Sequence, residues 1–249
     1  MKLAWLEPDT PFPNAKNAWG PHSEAPGLLA AGADLSPARL LDAYRHGIFP
    51  WYSEGQPILW WSTDPRMVLQ VQDFQVRRSF AKVLRRFMAS PGCEIRIDSA
   101  FETVIQHCAA TPRHGQTGTW ITPDIQAAYA ALHADGYVHS VETWMDGQLL
   151  GGLYCVAIGH AVFGESMFSH ATDASKIALA ALVALCCNQG AQWIDCQQNT
   201  PHLASMGART MARDAFVRAV QQRSIQAPMD WSWNPLYWNA MEFSQAGPT

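Results

Sequence analysis

Between Ile177 and Cys187 the chain carries eleven consecutive apolar residues. A membrane span needs about 20, and a helix at the surface of a globular protein keeps a polar face. Opened by Asp173 and stopped by Gly190, the run therefore predicts a helix over 174–187, buried on nearly every side against a sheet. The flanking residues read as that sheet. Leu153 to Ile158 and Ala161 to Phe163 are apolar and β-rich, and Gly159-His160 between them has the length of a two-residue hairpin loop, so the two runs are expected to pair antiparallel. After the helix, Trp193 to Gln197 reads as a further strand, and its period of two puts Asp195 and Gln197 on one face. Glu165 stands just beyond Phe163-Gly164, at the expected end of a strand. Burying polar groups without partners costs roughly 2–7 kcal/mol each, and more for a charge. These three either hydrogen-bond to one another as an ordinary core network or line a cleft.

The remaining elements follow from local signals. Residues 1–66 are rich in Pro, Gly and Trp and predict a small α+β unit. Its one clear helix is capped by Ser36-Pro37, carries Leu40, Leu41 and Tyr44 inward, and ends at Gly47. Trp51, Tyr52, Trp60 and Trp61 crowd the tail of this unit, where they either pack an interface or wall a pocket. Met67 to Val71 reads as a strand. Arg77, Arg78, Lys82, Arg85 and Arg86 then fall within ten residues, on a helix expected to be capped by Ser79 with Phe80, Val83, Leu84 and Phe87 facing inward. That basic face is either merely solvated or holds phosphates. Glu94 to Ile97 predicts a strand, and Ser99 with Glu102 a capping box opening a helix to about Ala109. A polar loop, expected to be flexible, spans Thr111 to Thr119. Thr122-Pro123-Asp124 starts a helix with Ile125, Ala128, Tyr129 and Leu132 inside and Gly136 as its stop. Tyr137 to Met145 and Gln148 to Ile158 flank Asp146-Gly147, a strong hairpin signal. Thr200-Pro201 caps a short helix ending near Gly207, and another helix takes up Ala212 to Arg223. Met229 to Trp238 has no clear period.

Composition excludes several classes of function. A formal charge of −4 and a pI near 6.1 announce no polyanion partner, so nucleic-acid contact must come from a local patch. The six cysteines form no CxxC pair and read as reduced core residues of a cytoplasmic protein. The first residues, MKLAWLEPDTPFP, carry charges and prolines where a signal peptide needs an apolar run. Nine histidines without ligand spacing argue against a metal site. Gly164-Glu165-Ser166-Met167-Phe168 lacks the second glycine of a nucleophile elbow, and no Walker loop or GxGxxG is present. His202, at a helix start, is either a general base or structural.

The blocks GESMFS, DASKIAL, DCQ and PHLASMGA, in this order, resemble the leucyl/phenylalanyl-tRNA–protein transferase family. The resemblance extends back through EAPGLLAAGADLSPARLLDAYRHGIFPWYSEGQPILWWSTDPR and GTWITPDIQAAYAALHADGYVHSVE, which is most of the chain. It implies transfer of Leu or Phe, and in some cases Met, from aminoacyl-tRNA to the amino-terminal Arg or Lys of a protein. The new peptide bond would mark that acceptor for N-end-rule degradation. The fold implied is α+β: a small domain over 1–66, then an N-acetyltransferase-like (GNAT-like) domain over 67–249 with a mixed, mainly antiparallel sheet. Catalysis would fall to Asp195 and Gln197 of the DCQ block, with Gln197 orienting the acceptor amine and Asp195 polarising it. Glu165 is the candidate for pairing with the acceptor's cation, the alternative being that it fastens the loop 164–169. The resemblance implies an apolar aminoacyl pocket walled by Trp51, Trp120, Tyr129, Leu153 and Leu182. The tRNA phosphates would lie on Arg77, Arg78, Lys82, Arg85 and Arg86. The ester of aminoacyl-tRNA is already activated, so no cofactor and no metal are expected. His170 stands where the family pattern suggests Arg, and Ala33 where it suggests Gly. Two other classes remain: an acetyl-CoA-dependent N-acetyltransferase, for which the loop 169–175 lacks a glycine and carries an acid, and a non-enzymatic RNA-binding module.

Overall fold

The computed structural model describes residues 2–111 and 119–241, so most of the loop expected at Thr111–Thr119 lies outside the described residues. The chain begins with β1 (Ala4–Leu6), β2 (Leu28–Gly32), α1 (Pro37–Arg45), β3 (Phe49–Pro50) and β4 (Leu59–Trp61). Their strands form one sheet in the order β1-β2-β4-β3. Next come β5 (Arg66–Gln70), α2 (Arg78–Ala89), β6 (Cys93–Ile97), α3 (Phe101–Ala110), α4 (Pro123–Ala134), β7 (Val138–Met145), β8 (Gln148–Ile158) and β9 (Ala161–Ser169). The chain continues through α5 (Ala174–Gln189), β10 (Trp193–Gln197), α6 (Pro201–Ser205), β11 (Arg209–Met211) and α7 (Arg213–Ser224), and then a short 3-10 turn at Pro235–Ala240. The second sheet runs β11-β5-β10-β9-β8-β7-β6, antiparallel throughout except at β9 and β10. The mixed, mainly antiparallel sheet read from the sequence is therefore present.

The apolar run becomes α5, whose residues from Ile177 to Cys186 are all buried. It lies with α2 and the carboxy-terminal segment on one face of the large sheet. The other face carries α1, α3, α4 and α7. It shares one continuous core with the amino-terminal sheet, from Leu6 and Trp60 to Tyr154 and Phe163. Gly151 lets α5 approach β8 closely, because a Cβ there would stand 2.5 Å from that of Ala174.

Local turn chemistry operates where the sequence places it. The side chains of Ser36, Thr122 and Thr200 accept backbone N–H bonds at the starts of α1, α4 and α6. Asp146 and Gly147 take φ values of 49° and 74°, the left-handed pair that a primed hairpin turn requires. Three other caps differ from expectation. Ser79 sits inside the first turn of α2, which makes no side-chain cap bond. The start of α3 is capped from β7: Glu142 accepts from the Ala100 N–H at 2.8 Å and from the Ser99 hydroxyl. Asp173 makes no cap bond, while the Ser169 hydroxyl accepts from the Ser175 N–H at 3.2 Å. In both of these last cases a side chain from a neighbouring strand reaches the free N–H groups. Ala33 has φ 59°, the region a glycine occupies without strain.

Candidate active site

The strands β9 and β10 pair in parallel only at Val162 with Ile194 and Phe163 with Asp195, and then part. A β-bulge interrupts each of them on its other side. On β9 the register against β8 jumps from Gly164 to Ser166, which leaves Glu165 as the extra residue. On β10 the register against β5 jumps from Asp195 to Gln197, which leaves Cys196 unpaired. Glu165 thus lies within a strand, not at its end as expected, because the long β8 continues to pair β9 as far as Ser169. The segment 164–169 is not a loop to be fastened.

Two adjoining cavities fill the gap between the parted strands. The larger, about 290 Å³, is chiefly apolar, with Leu153, Met167, Leu179, Leu182 and Ile194 in its wall. The smaller, about 200 Å³, is walled by Pro50, Trp51, Gln197 and Gln198. Trp120, Glu165, Cys196, Thr200 and Leu203 line both, so the two form lobes of a single cleft with Glu165 at the junction. Leu153 and Leu182 accordingly belong to the apolar lobe, Trp51 to the smaller lobe, which Glu165, Gln197, Gln198 and Thr200 make the more polar of the two and which is called the polar lobe below, and Trp120 to both. Tyr129 is fully buried and is not in the wall of either lobe. Its ring packs edge-on against Tyr154 in the wall of the larger lobe, and its hydroxyl reaches Glu165.

That hydroxyl belongs to the shell that holds Glu165. The carboxylate accepts from Tyr44 at 2.8 Å and from Tyr129 at 3.4 Å, while the Nε2 of Gln197 donates to it at 3.0 Å. The two tyrosine hydroxyls also bond to each other. Burial pushes the Glu165 carboxyl up from 4.5 to about 7, with the hydrogen bonds from Tyr44 and Gln197 pulling the other way. Burial, with the Glu165 charge behind it, raises both tyrosines well above their ordinary value, so both remain neutral donors.

Asp195 serves a different partner. It is 0 % exposed and forms a two-pronged pair with Arg66, Nε to Oδ1 at 2.8 Å and a terminal nitrogen to Oδ2 at 2.6 Å. The guanidinium lies over the rings of Phe49 and Phe216, 4.6 Å from each centroid. Oδ1 of Asp195 also accepts from the Gln197 N–H at 2.9 Å. Gln197, with φ 59°, stands in the left-handed region, so it is the bulge and not a plain alternation that brings its amide to Glu165. Asp195 is therefore a partner of the Gln197 backbone and not part of the cleft wall.

Sequence reasoning did not single out Arg66, Tyr44 or the bulged Cys196. A cation at the head of an apolar strand, and a hydroxyl on the inward face of α1, both require buried partners. Those two signals were available.

Arg77, just before α2, and the four basic residues within it, Arg78, Lys82, Arg85 and Arg86, are all exposed. Helix α2 leaves the sheet near Val71, which bonds to Gln192 at the base of β10. It returns at Cys93, which pairs with Met145 at the end where Gln148, Gly151 and Ser169 also lie. Arg85 and Arg86 are thus carried toward the cleft end and Arg77 and Arg78 toward the opposite end, with Lys82 between. His170 is exposed near the same end, its ring against His107 and Phe168.

Comparison with known proteins bears on what such a cleft belongs to. Residues 68–221 match the model for leucyl/phenylalanyl-tRNA protein transferase, and residues 33–64 match that of its N-terminal domain. The chain belongs to the leucyl/phenylalanyl-tRNA–protein transferase family. Curated members from Albidiferax ferrireducens and Leptothrix cholodnii are 58% and 59% identical, over 96% and 95% of this chain and 94% of each relative. Among solved structures, FemX matches at 11% identity and TM-score 0.44, covering 75% of this chain and 71% of that one. A GCN5-related N-acetyltransferase from Kribbella flavida matches at 12% and 0.34, covering 71% of this chain and 61% of that one. Among the described residues of this transferase-family chain, no group of His, Cys, Asp and Glu side chains is arranged to hold a metal, and no helix is long and apolar enough to cross a membrane.

Proposed function

We propose that this protein transfers Leu or Phe, and in some cases Met, from aminoacyl-tRNA to the amino-terminal Arg or Lys of an acceptor protein. The observation that carries the reading is the meeting of an apolar and a polar lobe at Glu165, in a chain of this family. The apolar lobe takes the donor side chain. Shape there favours Leu and Phe over β-branched Ile and Val by about 1–3 kcal/mol, the range one branch or methylene supports. The polar lobe takes the first residue of the acceptor, whose cation lies near Glu165.

The chemistry needs positioning more than activation. The neutral acceptor amine attacks the ester carbonyl. A C–N bond forms, the C–O bond to the ribose breaks, and the amine proton passes to the departing ribose oxygen. Because Nε2 of Gln197 is engaged by Glu165, its Oε1 remains to accept an N–H of the attacking amine and aim the lone pair. A neutral amide is a poor base, so its part is orientation. The acceptor-stem phosphates rest on α2 largely without reading sequence. Specificity then lies in the aminoacyl group and the terminal adenosine. The described cysteines are all free, which agrees with a reducing cytoplasm.

The deciding experiment mixes the protein with radiolabelled Phe-tRNA and an acceptor protein beginning with Arg, with labelled acetyl-CoA as the parallel donor. Label moving from Phe-tRNA to the acceptor's amino terminus is the expected result. Transfer from acetyl-CoA alone overturns the reading.

A further inference from the structure

Arg66 lines neither lobe of the cleft, yet it joins the elements from which the polar lobe is built. We infer that Arg66 is a positioning residue for the transfer reaction: it holds Asp195 so that Asp195 can hold the Gln197 backbone in its left-handed bulge. This rests on the assignment of Gln197 to the acceptor amine made above.

Residue 197 is not a glycine, and its φ of 59° is one that L side chains adopt only when their surroundings impose it. The contact that imposes it is the 2.9 Å bond from the Gln197 N–H to Oδ1 of Asp195. That oxygen is itself fixed by the Nε of Arg66 at 2.8 Å, and its twin by a terminal nitrogen at 2.6 Å, so the carboxylate cannot rotate about its own axis. The guanidinium in turn packs against the rings of Phe49 and Phe216, and its remaining terminal nitrogen donates to the Gly47 carbonyl at 3.4 Å. Phe49 and Pro50 form β3, and Trp51 follows directly. The same cation therefore sets β3, with one wall of the polar lobe, against β10, with the other. A buried ion pair is no strong source of stability, since well-packed apolar groups often do as well. Fixed geometry at a reacting group is a use for which apolar groups do not substitute.

Two variants test this, each compared with the wild type for kcat, for KM toward Phe-tRNA and toward the acceptor peptide, and for its folded fraction by near-ultraviolet circular dichroism. Arg66→Lys keeps the charge and loses the two-pronged geometry. Its kcat per folded molecule is expected to fall about 100-fold with both KM values within about twofold, as a small misplacement at a reacting centre does. Phe216→Leu keeps the ion pair and removes one of the rings packed against the guanidinium, and it touches neither lobe. Its kcat is expected to fall about tenfold by the same loss of alignment. A purely structural role would lower the folded fraction or the melting temperature and leave kcat per folded molecule unchanged. Wild-type kcat in either folded variant, or an effect confined to KM, overturns the inference. If Arg66→Lys does not fold, Phe216→Leu decides alone by the same criterion. The wild type in the same assay separates this inference from the functional reading: no transfer by the wild type refutes the function, whereas equal transfer by wild type and variants refutes only the role of Arg66.

Discussion

Glu142 and Glu165 belong to the same sheet, on β7 and β9 with only β8 between them, and they are partnered in opposite ways. Glu142 is 0 % exposed and accepts from four donors: the hydroxyls of Ser99 and Ser140, the Ala100 N–H and the Trp144 indole. Two of these come from its own strand and two from the start of α3, where a carboxylate also meets the positive end of the helix dipole. Every lone pair has a fixed use, and the result is a joint between β7 and α3. Among the described residues Glu165 is held by neutral side chains from α1, α4 and β10, and it lines both lobes of the cleft. Its carboxyl is pushed up to about 7 by burial. A buried carboxylate surrounded by its own local donors is architecture. One suspended among distant hydroxyls at a cavity edge is available to a ligand.

The largest expected effect falls on the side chain that links Glu165 to the cleft. Gln197→Ala should lower single-turnover transfer by about 100- to 1,000-fold, the scale of losing one oriented polar group at a reacting centre. An unchanged rate would remove Gln197 from the chemistry and leave Glu165 an architectural group like Glu142.

Glu142→Gln comes next and should act on stability alone. It converts one acceptor oxygen into a donor facing other donors, so urea unfolding should show a loss of about 2 kcal/mol, with kcat per folded molecule retained. A fall in kcat comparable to that of Gln197→Ala would erase the distinction between the two carboxylates.

Glu165→Gln should show the reverse: about a tenfold loss on peptides beginning with Arg or Lys, the scale of one hydrogen bond to a charged group, and little loss on one beginning with Ala. Its pH behaviour sharpens the contrast. The folded carboxyl titrates near 7, against 4.5 for the ordinary group. Between those values the folded protein keeps a proton that the unfolded chain has lost. Its contribution to stability is therefore full below pH 4.5 and is lost as the pH rises through about 7. The wild type should lose melting temperature across this window relative to Glu165→Gln. Transfer to cationic acceptors should rise through about pH 7 in the wild type, whereas the variant should keep only the rise set by deprotonation of the acceptor α-amine at about 7.7–8. Identical pH profiles for the two proteins would contradict the raised carboxyl.

The smallest effect lies away from both carboxylates. Arg85→Ala with Arg86→Ala should raise KM for charged tRNA about threefold and reduce the salt slope of binding by about 1.5, as loss of two phosphate contacts does, with kcat kept. Wild-type salt dependence would remove the cleft end of α2 from the tRNA path.

What the sequence by itself determined was much of what is set by neighbours along the chain, the caps at Ser79, Ser99 and Asp173 apart. The eleven apolar residues after Asp173 had to form a buried helix. Ser36-Pro37, Thr122-Pro123 and Thr200-Pro201 had to open helices, and Asp146-Gly147 had to turn a hairpin, because each acts within four residues of itself. The motif blocks also identified the family. The tertiary structure alone decided which polar groups meet. The bulges at Glu165 and Cys196 arise from the register of β9 and β10 against strands elsewhere in the chain, and no local period encodes an extra residue. The caps of α3 and α5 pass to Glu142 and Ser169 because side chains of β7 and β9 reach the helix starts. Arg66 finds Asp195 from 129 residues away, and Tyr44 finds Glu165 from 121. Alternation alone places Asp195 and Gln197 side by side as equals. Packing separates them, since the buried cation of Arg66 takes Asp195 out of the cleft and leaves Gln197 there with Glu165.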